Sequence, residues 1–203
     1  MTEISKYGEF GLIKHLTEKI KLQNASSLKG VGDDAAVLDY KDKRVLVTTD
    51  LLLEGIHFDL TYTPLKHLGY KAAVVNFSDI YAMNGQPKQI TVSLGVSKRF
   101  SVEDLEEIYA GIYLACEKYG VDLGGGDTSA SLTGLTISIT CIGEGEEGNI
   151  VYRNGAKAND LICVTGDLGS AYMGLQLLER EKMVFLILSE NIQPDLEEKK
   201  YFL

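Results

Sequence analysis

Ala35-Ala36-Val37-Leu38-Asp39-Tyr40-Lys41-Asp42-Lys43-Arg44-Val45-Leu46-Val47-Thr48-Thr49-Asp50 decides the fold. It holds two runs rich in β-branched and aliphatic residues, Ala35 to Leu38 and Arg44 to Thr49. The charged turn Asp39 to Lys43 separates them, which predicts a pair of antiparallel strands. Beyond the pair, Pro64 opens a helix that runs through Ala72-Ala73-Val74-Val75 toward Met83. Gln89 to Val96 alternates as a strand. Ser101, with Asp104 three residues on, caps a helix that ends near Lys118-Tyr119-Gly120. Leu135 to Ile142 alternates again, and Gly143 to Asn149 is a polar, glycine-rich turn. Phe10 to Leu22 has helical spacing. Asp160 to Thr165 reads as a strand, followed by a helix from about Ser170 to Arg180. The pattern is mixed α/β (α+β): a mixed sheet backed by helices. A domain boundary is expected near Arg153 to Lys157, dividing 1–152 from a partial second domain, 153–203, which looks cut short.

Composition narrows the function. The 203 residues are 45% hydrophobic, with a formal net charge of -9. That charge argues against sequence-independent binding of DNA or RNA, which needs a basic surface to displace counterions. It leaves nucleotides open, because divalent metals can sit between carboxylates and polyphosphate. No apolar run reaches the roughly 18 residues that span a bilayer. The start carries no signal-like pattern, and three scattered cysteines form no disulfide or zinc pattern. A cytoplasmic setting is the expectation.

Four aspartates sit at strand ends, turns or inside an apolar helix. Asp34 follows Gly32-Asp33 and precedes the small Ala35-Ala36, an acidic turn with room for a ligand. Asp50 closes a strand after Thr48-Thr49, whose hydroxyls can join a carboxylate on a metal or phosphate. Asp79, in Asn76-Phe77-Ser78-Asp79, interrupts an apolar helix, where an unpaired carboxylate would be costly. Asp127 ends Gly124-Gly125-Gly126-Asp127, a turn whose backbone can approach a phosphate. Each has a plain structural reading: an acidic turn, a strand terminus, a solvent-facing helix residue, a loop. Together they predict carboxylates converging on one metal-and-polyphosphate site. His57 lies nearby in Glu54-Gly55-Ile56-His57-Phe58, while His15 and His67 lack supporting neighbours and read as structural.

With these residues in hand, the chain resembles thiamine-monophosphate kinase, of the superfamily that includes aminoimidazole ribonucleotide synthetase and selenophosphate synthetase. The resemblance covers about residues 8–180. It rests on Gly8-Glu9-Phe10, Gly32-Asp33-Asp34-Ala35-Ala36-Val37, Thr48-Thr49-Asp50, Glu54-Gly55-Ile56-His57-Phe58 and Asn76-Phe77-Ser78-Asp79. Gly125-Gly126-Asp127-Thr128, Arg153-Asn154-Gly155-Ala156-Lys157 and Val164-Thr165-Gly166 complete it.

The resemblance implies a homodimer whose paired sheets form a shared barrel. It implies Mg²⁺-dependent transfer of the γ-phosphoryl of ATP to thiamine phosphate, the last step of thiamine diphosphate synthesis. By position it implies Asp34, Asp50, Asp79 and Asp127 as magnesium ligands, helped by Thr48 and Thr49. Gly126 and Asp127 would lie against the ATP phosphates, Tyr109 at the nucleotide, Arg153 on an ATP phosphate and His57 on thiamine phosphate. The acceptor is already an ionised phosphate, so no general base is expected.

Three departures stand out. Asn84 replaces a usual glycine, and Gly124 replaces a usual aliphatic residue. The chain also stops before the family's later Ser-Asp segment and aromatic thiamine contacts, which predicts an incomplete active site. Selenophosphate synthetase is disfavoured, because its reactive Cys or selenocysteine near the N-terminus is missing. The alternatives kept are a sister ATP-dependent enzyme and a non-catalytic, dimerising nucleotide-binding fragment.

Overall fold

The computed structural model describes residues 11, 27–29, 32–33, 35–41 and 43–189, with side chains to residue 186. The expected helix over Phe10 to Leu22, apart from Gly11, lies outside the described residues. So do His15, Asp34 and the tail after Ser189.

The paired runs form the hairpin expected of them. Strand β2 (Ala36–Tyr40) and strand β3 (Lys43–Leu53) pair antiparallel. Lys41 takes the left-handed conformation in the turn (φ 67°). Short β1 (Ser27–Lys29) adds to the outer side of β2. The other strands are β4 (Gln86–Val96), β5 (Asp122–Ala130) and β6 (Thr136–Gly145). One six-stranded mixed sheet results, in the order β1-β2-β3-β6-β4-β5, and only the β4–β5 pair is parallel. Parallel neighbours need a long crossover, here supplied by helix α2 (Val102–Tyr119).

Helix α1 (Leu65–Ala82) begins just after Pro64, which occupies the cap position with extended backbone. Its buried residues Leu68, Ala72, Ala73, Asn76, Phe77 and Ile80 recur at helical spacing. The start of α2 carries a complete capping box: Asp104 N–H donates to Ser101 Oγ (3.2 Å), and Ser101 N–H donates to Asp104 Oδ2 (2.8 Å). Gly120 ends it at φ 66°. At the end of α1, Asn84 holds the left-handed conformation (φ 58°), which glycine and asparagine adopt most readily. Its side-chain amide donates to the Asn149 carbonyl (3.0 Å), and Gly85 N–H closes on Ile80 C=O (2.9 Å). Asparagine at this position therefore supports a left-handed helix end.

Both helices cover one face of the sheet. Leu46, Ile90, Val92, Leu94, Ile137 and Ile139 meet Phe77, Ile80, Ile108 and Ile112 there, all buried. The helices touch at glycines: a Cβ on Gly69 would stand 1.9 Å from Ile108 O, and one on Gly111 would stand 1.9 Å from Lys66 O. The opposite face is mixed, with Val45, Val47, Thr49, Leu51, Thr91, Ser93 and Thr140 partly or fully exposed.

Two readings of the sequence change. Residues Asp122 to Ala130 form a strand where a glycine turn was expected, because α2 returns the chain beside β4 and supplies a partner ladder. Residues 160–165 form no strand: no neighbouring strand pairs with them, and Leu161 and Ile162 are 89% and 95% exposed. Helix α3 (Ser170–Ser189) runs longer than the sequence predicted. Among the described residues no helix is long and apolar enough to cross a membrane.

Candidate active site

The site grows from the end of β3 against α1. Residues of one strand alternate faces, so Thr48 and Asp50 lie on the helix side while Thr49 lies on the other. Thr48 Oγ1 donates to Asp79 Oδ2 (2.8 Å), which gives the carboxylate inside the apolar helix its partner. Asn76, one helical turn before Asp79 and fully buried at 0%, ties the two elements together. Its Oδ1 accepts from Asp50 N–H (3.1 Å), and its Nδ2 donates to Ala72 C=O (3.0 Å). Asn76 is a site residue that the sequence reading quoted without assigning a role. Its signal is an amide on the buried stripe of a helix, where it must be bonded.

Electrostatics mark the same place. Burial pushes the Asp50 carboxyl above its ordinary value, partly offset by His57. Burial, with help from Asp79, drives the Cys141 thiol up to about 12, and Cys141 faces Thr48 across the β3–β6 ladder. His57 is exposed, and its Nδ1 accepts from Leu53 N–H (3.0 Å). Lys71 of α1 donates to the His57 carbonyl (2.8 Å). Thr48, Asp50, Asp79 and His57 therefore share one neighbourhood.

The other candidates stand farther away. Thr49 is on the open face, donating to Ile139 C=O and accepting from Thr140 Oγ1, each at 3.1 Å. Gly126 lies in the same cross-sheet row as Asp50, through Ile139 and Val92. Three strand spacings, about 14 Å, separate them. A Cβ on Gly126 would stand 1.9 Å from Val92 O, so the close approach of β5 to β4 demands that glycine, while Gly125 is favoured by its own backbone angle (φ 150°). Asp127 is exposed in the next row, with Ser93, Ser138 and Leu51. Tyr109 is half-buried on α2, its ring 5.9 Å from that of Tyr113, and burial raises its phenol pKa.

Arg153 lies beside the acidic motif. Its Nε is 4.0 Å from Asp33 Oδ1, while Lys29 Nζ is 3.3 Å from Asp33 Oδ2. The Asp33 side chain is only 2% exposed. Sequence alone does not say which of the two adjacent carboxylates, Asp33 or Asp34, turns inward.

The donors that β3 and α1 bring together include three oxygen groups: the carboxylates of Asp50 and Asp79 and the hydroxyl of Thr48. That suits a hard cation such as Mg²⁺, which takes one or two carboxylates and completes its shell with water and phosphate oxygens. A carboxyl raised by burial, as at Asp50, is one that a nearby cation would stabilise in its charged form. Among the described residues no three His, Cys, Asp or Glu side chains gather closely enough to form a cage without phosphate.

A mixed sheet with helices on one face and an oxygen-lined β3–α1 junction makes this an α/β protein. Residues 32–144 match the family described as AIR synthase related protein, N-terminal domain, and the chain belongs to that family. It is similar to thiamine-monophosphate kinase of Bacillus subtilis (strain 168), 40% identical over 174 residues, which cover 85% of this chain and 53% of the relative. The Aquifex aeolicus enzyme of the same name is 38% identical, over 88% of this chain and 55% of its own. A solved structure described as AaThiL complexed with AMPPCP and TMP aligns with a TM-score of 0.77 at 35% identity, covering 97% of this chain and 57% of that one. The HypE–HypF complex shares the fold at TM-score 0.56 and 23% identity, over 72% of this chain and 46% of that one. The chain spans about half the length of the curated relatives it matches.

Proposed function

We propose that the protein transfers the γ-phosphoryl of ATP to thiamine phosphate, giving thiamine diphosphate and ADP, as a cytoplasmic enzyme or as the first part of one. The observation that carries this is the Thr48–Asp79 hydrogen bond beside the half-buried Asp50, in a chain whose relatives bear that enzyme's name. The similar structure that holds AMPPCP and TMP supports the pairing of a nucleotide with a thiamine phosphate.

Asp50 and Asp79, with Thr48 and with Asp34 and Asp127 brought to the phosphates, would hold Mg²⁺. When bound, such an ion would supply positive charge that offsets the negative charge of the phosphates. The chain's own work is positioning. Asn76 fixes the Asp50 backbone against α1, and Thr48 orients the Asp79 carboxylate. Arg153 adds positive charge at an ATP phosphate, His57 meets the phosphate of thiamine phosphate, and Tyr109 lines the nucleotide. Gly126 keeps β5 tight on β4, so that Asp127 is presented from a fixed edge. No side chain needs to remove a proton, because the attacking oxygen is already ionised. The division into 1–152 and 153–203 belongs to this reading: the first part holds metal and phosphates, and the second begins the cover over them.

Thiamine diphosphate formation, assayed in a chain carried to the length of the relatives, tests the proposal. Turnover should require Mg²⁺ and fall at least about 100-fold with chelator, since losing the charge clamp removes the main source of stabilisation. Turnover that survives chelation would refute the metal reading. ATP binding without any transfer would favour a nucleotide-binding module.

The partner proposed is a second copy. Val45, Val47 and Leu51 give the uncovered sheet face an apolar component flanked by threonines and serines that a second sheet can bond. Sedimentation at micromolar concentration should give a dimer, and a monomer at that concentration would remove this part of the reading.

A further inference from the structure

Helix α3 meets the rest of the molecule in an unexpected way. Along its described side chains, all positions are exposed except Gly174, Glu179 and Lys182. Apolar residues such as Leu177, Leu178 and Met183 stay in solvent, while two polar residues are covered. Glu179 and Lys182 are three apart, so they share one face of the helix.

Their partners are also three apart, in the loop that follows His57. Tyr62 Oη donates to Glu179 Oε1 (2.5 Å), and Lys182 Nζ donates to Asp59 Oδ2. Asp59 is held for this task by its own turn: Oδ1 accepts Thr61 N–H (2.8 Å) and Thr61 Oγ1 (2.7 Å), while its carbonyl accepts Thr63 N–H (2.9 Å). One oxygen shapes the loop and the other faces the helix. The charges agree with the geometry. Lys182 and Thr61 draw the Asp59 carboxyl down to about 2, and Glu179 pushes the Tyr62 phenol up to about 12.

The loop is fixed at its other end as well. Phe58 is buried at 6% exposure, Gly55 N–H donates to Phe58 C=O (2.8 Å), and Lys71 holds the His57 carbonyl. His57 therefore stands between a firm anchor on α1 and a polar contact with α3.

We propose that Asp59 and Tyr62, with Lys182 and Glu179, form a two-point latch through which the segment after residue 153 positions the His57 loop for its phosphate substrate. The latch itself rests on the geometry alone; its effect on substrate rests on the functional reading above. Partly exposed contacts of this kind are individually weak and are screened by salt, so the latch opens and closes readily.

The test has two arms. In the chain as it stands, hydrogen exchange is followed at the amides of Thr61, Tyr62 and Thr63. Lys182→Glu should speed their exchange about fivefold, Lys182→Arg should leave it near the parent's, and 0.5 M salt should mimic Lys182→Glu in the parent only. Equal exchange in parent and Lys182→Glu would overturn the latch. In the chain carried to the relatives' length, Lys182→Glu should raise KM for thiamine phosphate about fivefold, with KM for ATP and kcat unchanged. A shift in both KM values, or in neither, would overturn the positioning role. A protein that turns over no thiamine phosphate would overturn the functional reading alone, and the exchange arm still decides the latch.

Discussion

Replacing Asp127 by alanine, in a chain carried to the length of its relatives, should lower turnover at least about 100-fold, a loss of about 2.7 kcal/mol in transition-state stabilisation. In-line phosphoryl transfer crowds negative oxygens together, and each carboxylate that holds a metal among them contributes to the clamp. The structure makes the test discriminating. Asp127 is exposed on the edge strand β5, and its carboxylate makes no hydrogen bond or ion pair among the described residues. A surface change of that kind ordinarily moves stability by less than about 0.5 kcal/mol. Activity should therefore collapse while the thermal midpoint stays where it was. Turnover within tenfold of the parent would remove Asp127 from the phosphate site.

The largest effect on stability is expected at Gly111. Alanine is the better helix former by about 1 kcal/mol, so propensity alone predicts a more stable protein. Packing predicts the reverse. The new methyl would stand 1.9 Å from Lys66 O and 2.7 Å from Tyr70 N, both backbone atoms that cannot swing aside. The two helices would have to part by more than about 1 Å along a contact that buries Leu68, Ala72, Ile108 and Ile112. Overpacking of this severity costs about 3 kcal/mol or more, which outweighs the gain in propensity. For a chain of this size that lowers the melting temperature by roughly 6–12 °C. Thermal unfolding of Gly111→Ala measures it directly, and an unchanged or higher midpoint would mean the helices do not meet at their glycines.

Local signals carried much of the fold. The β2–β3 hairpin follows from two apolar runs around a charged turn, and α2 announces itself by Ser101, Asp104 and Gly120 at the spacings a capped helix needs. What hid was whatever depends on a distant partner. Three glycines and no alternation disguise β5, whose strand conformation comes from the ladder with β4. The run from Asp160 to Thr165 looks like a strand but has no partner to make it one. The aspartates were individually legible as residues at turns and strand ends. Their neighbours were not, because period-two alternation puts Thr48 and Thr49 on opposite faces, and only the docking of α1 on β3 shows which of them meets Asp79. The buried roles of Asn76 and Asp33 belong to the same class of fact.

The strand order also sets a timetable for a newly made chain. Strand β6 comes last among the six in sequence yet sits between β3 and β4, pairing Arg44 with Gly145. The ribosome must add roughly 100 residues after β3 before its neighbour exists, about 5–20 s at ordinary elongation rates. Throughout that interval β3 presents a long open edge, joined by a second once β4 (Gln86–Val96) has been made, the kind of template on which chains aggregate. The hairpin β2–β3 and helix α1 can gather early, but the sheet closes only when its middle arrives. The vulnerable moment in this protein's life is therefore its synthesis, and a chaperone that shields strand edges would act on it there.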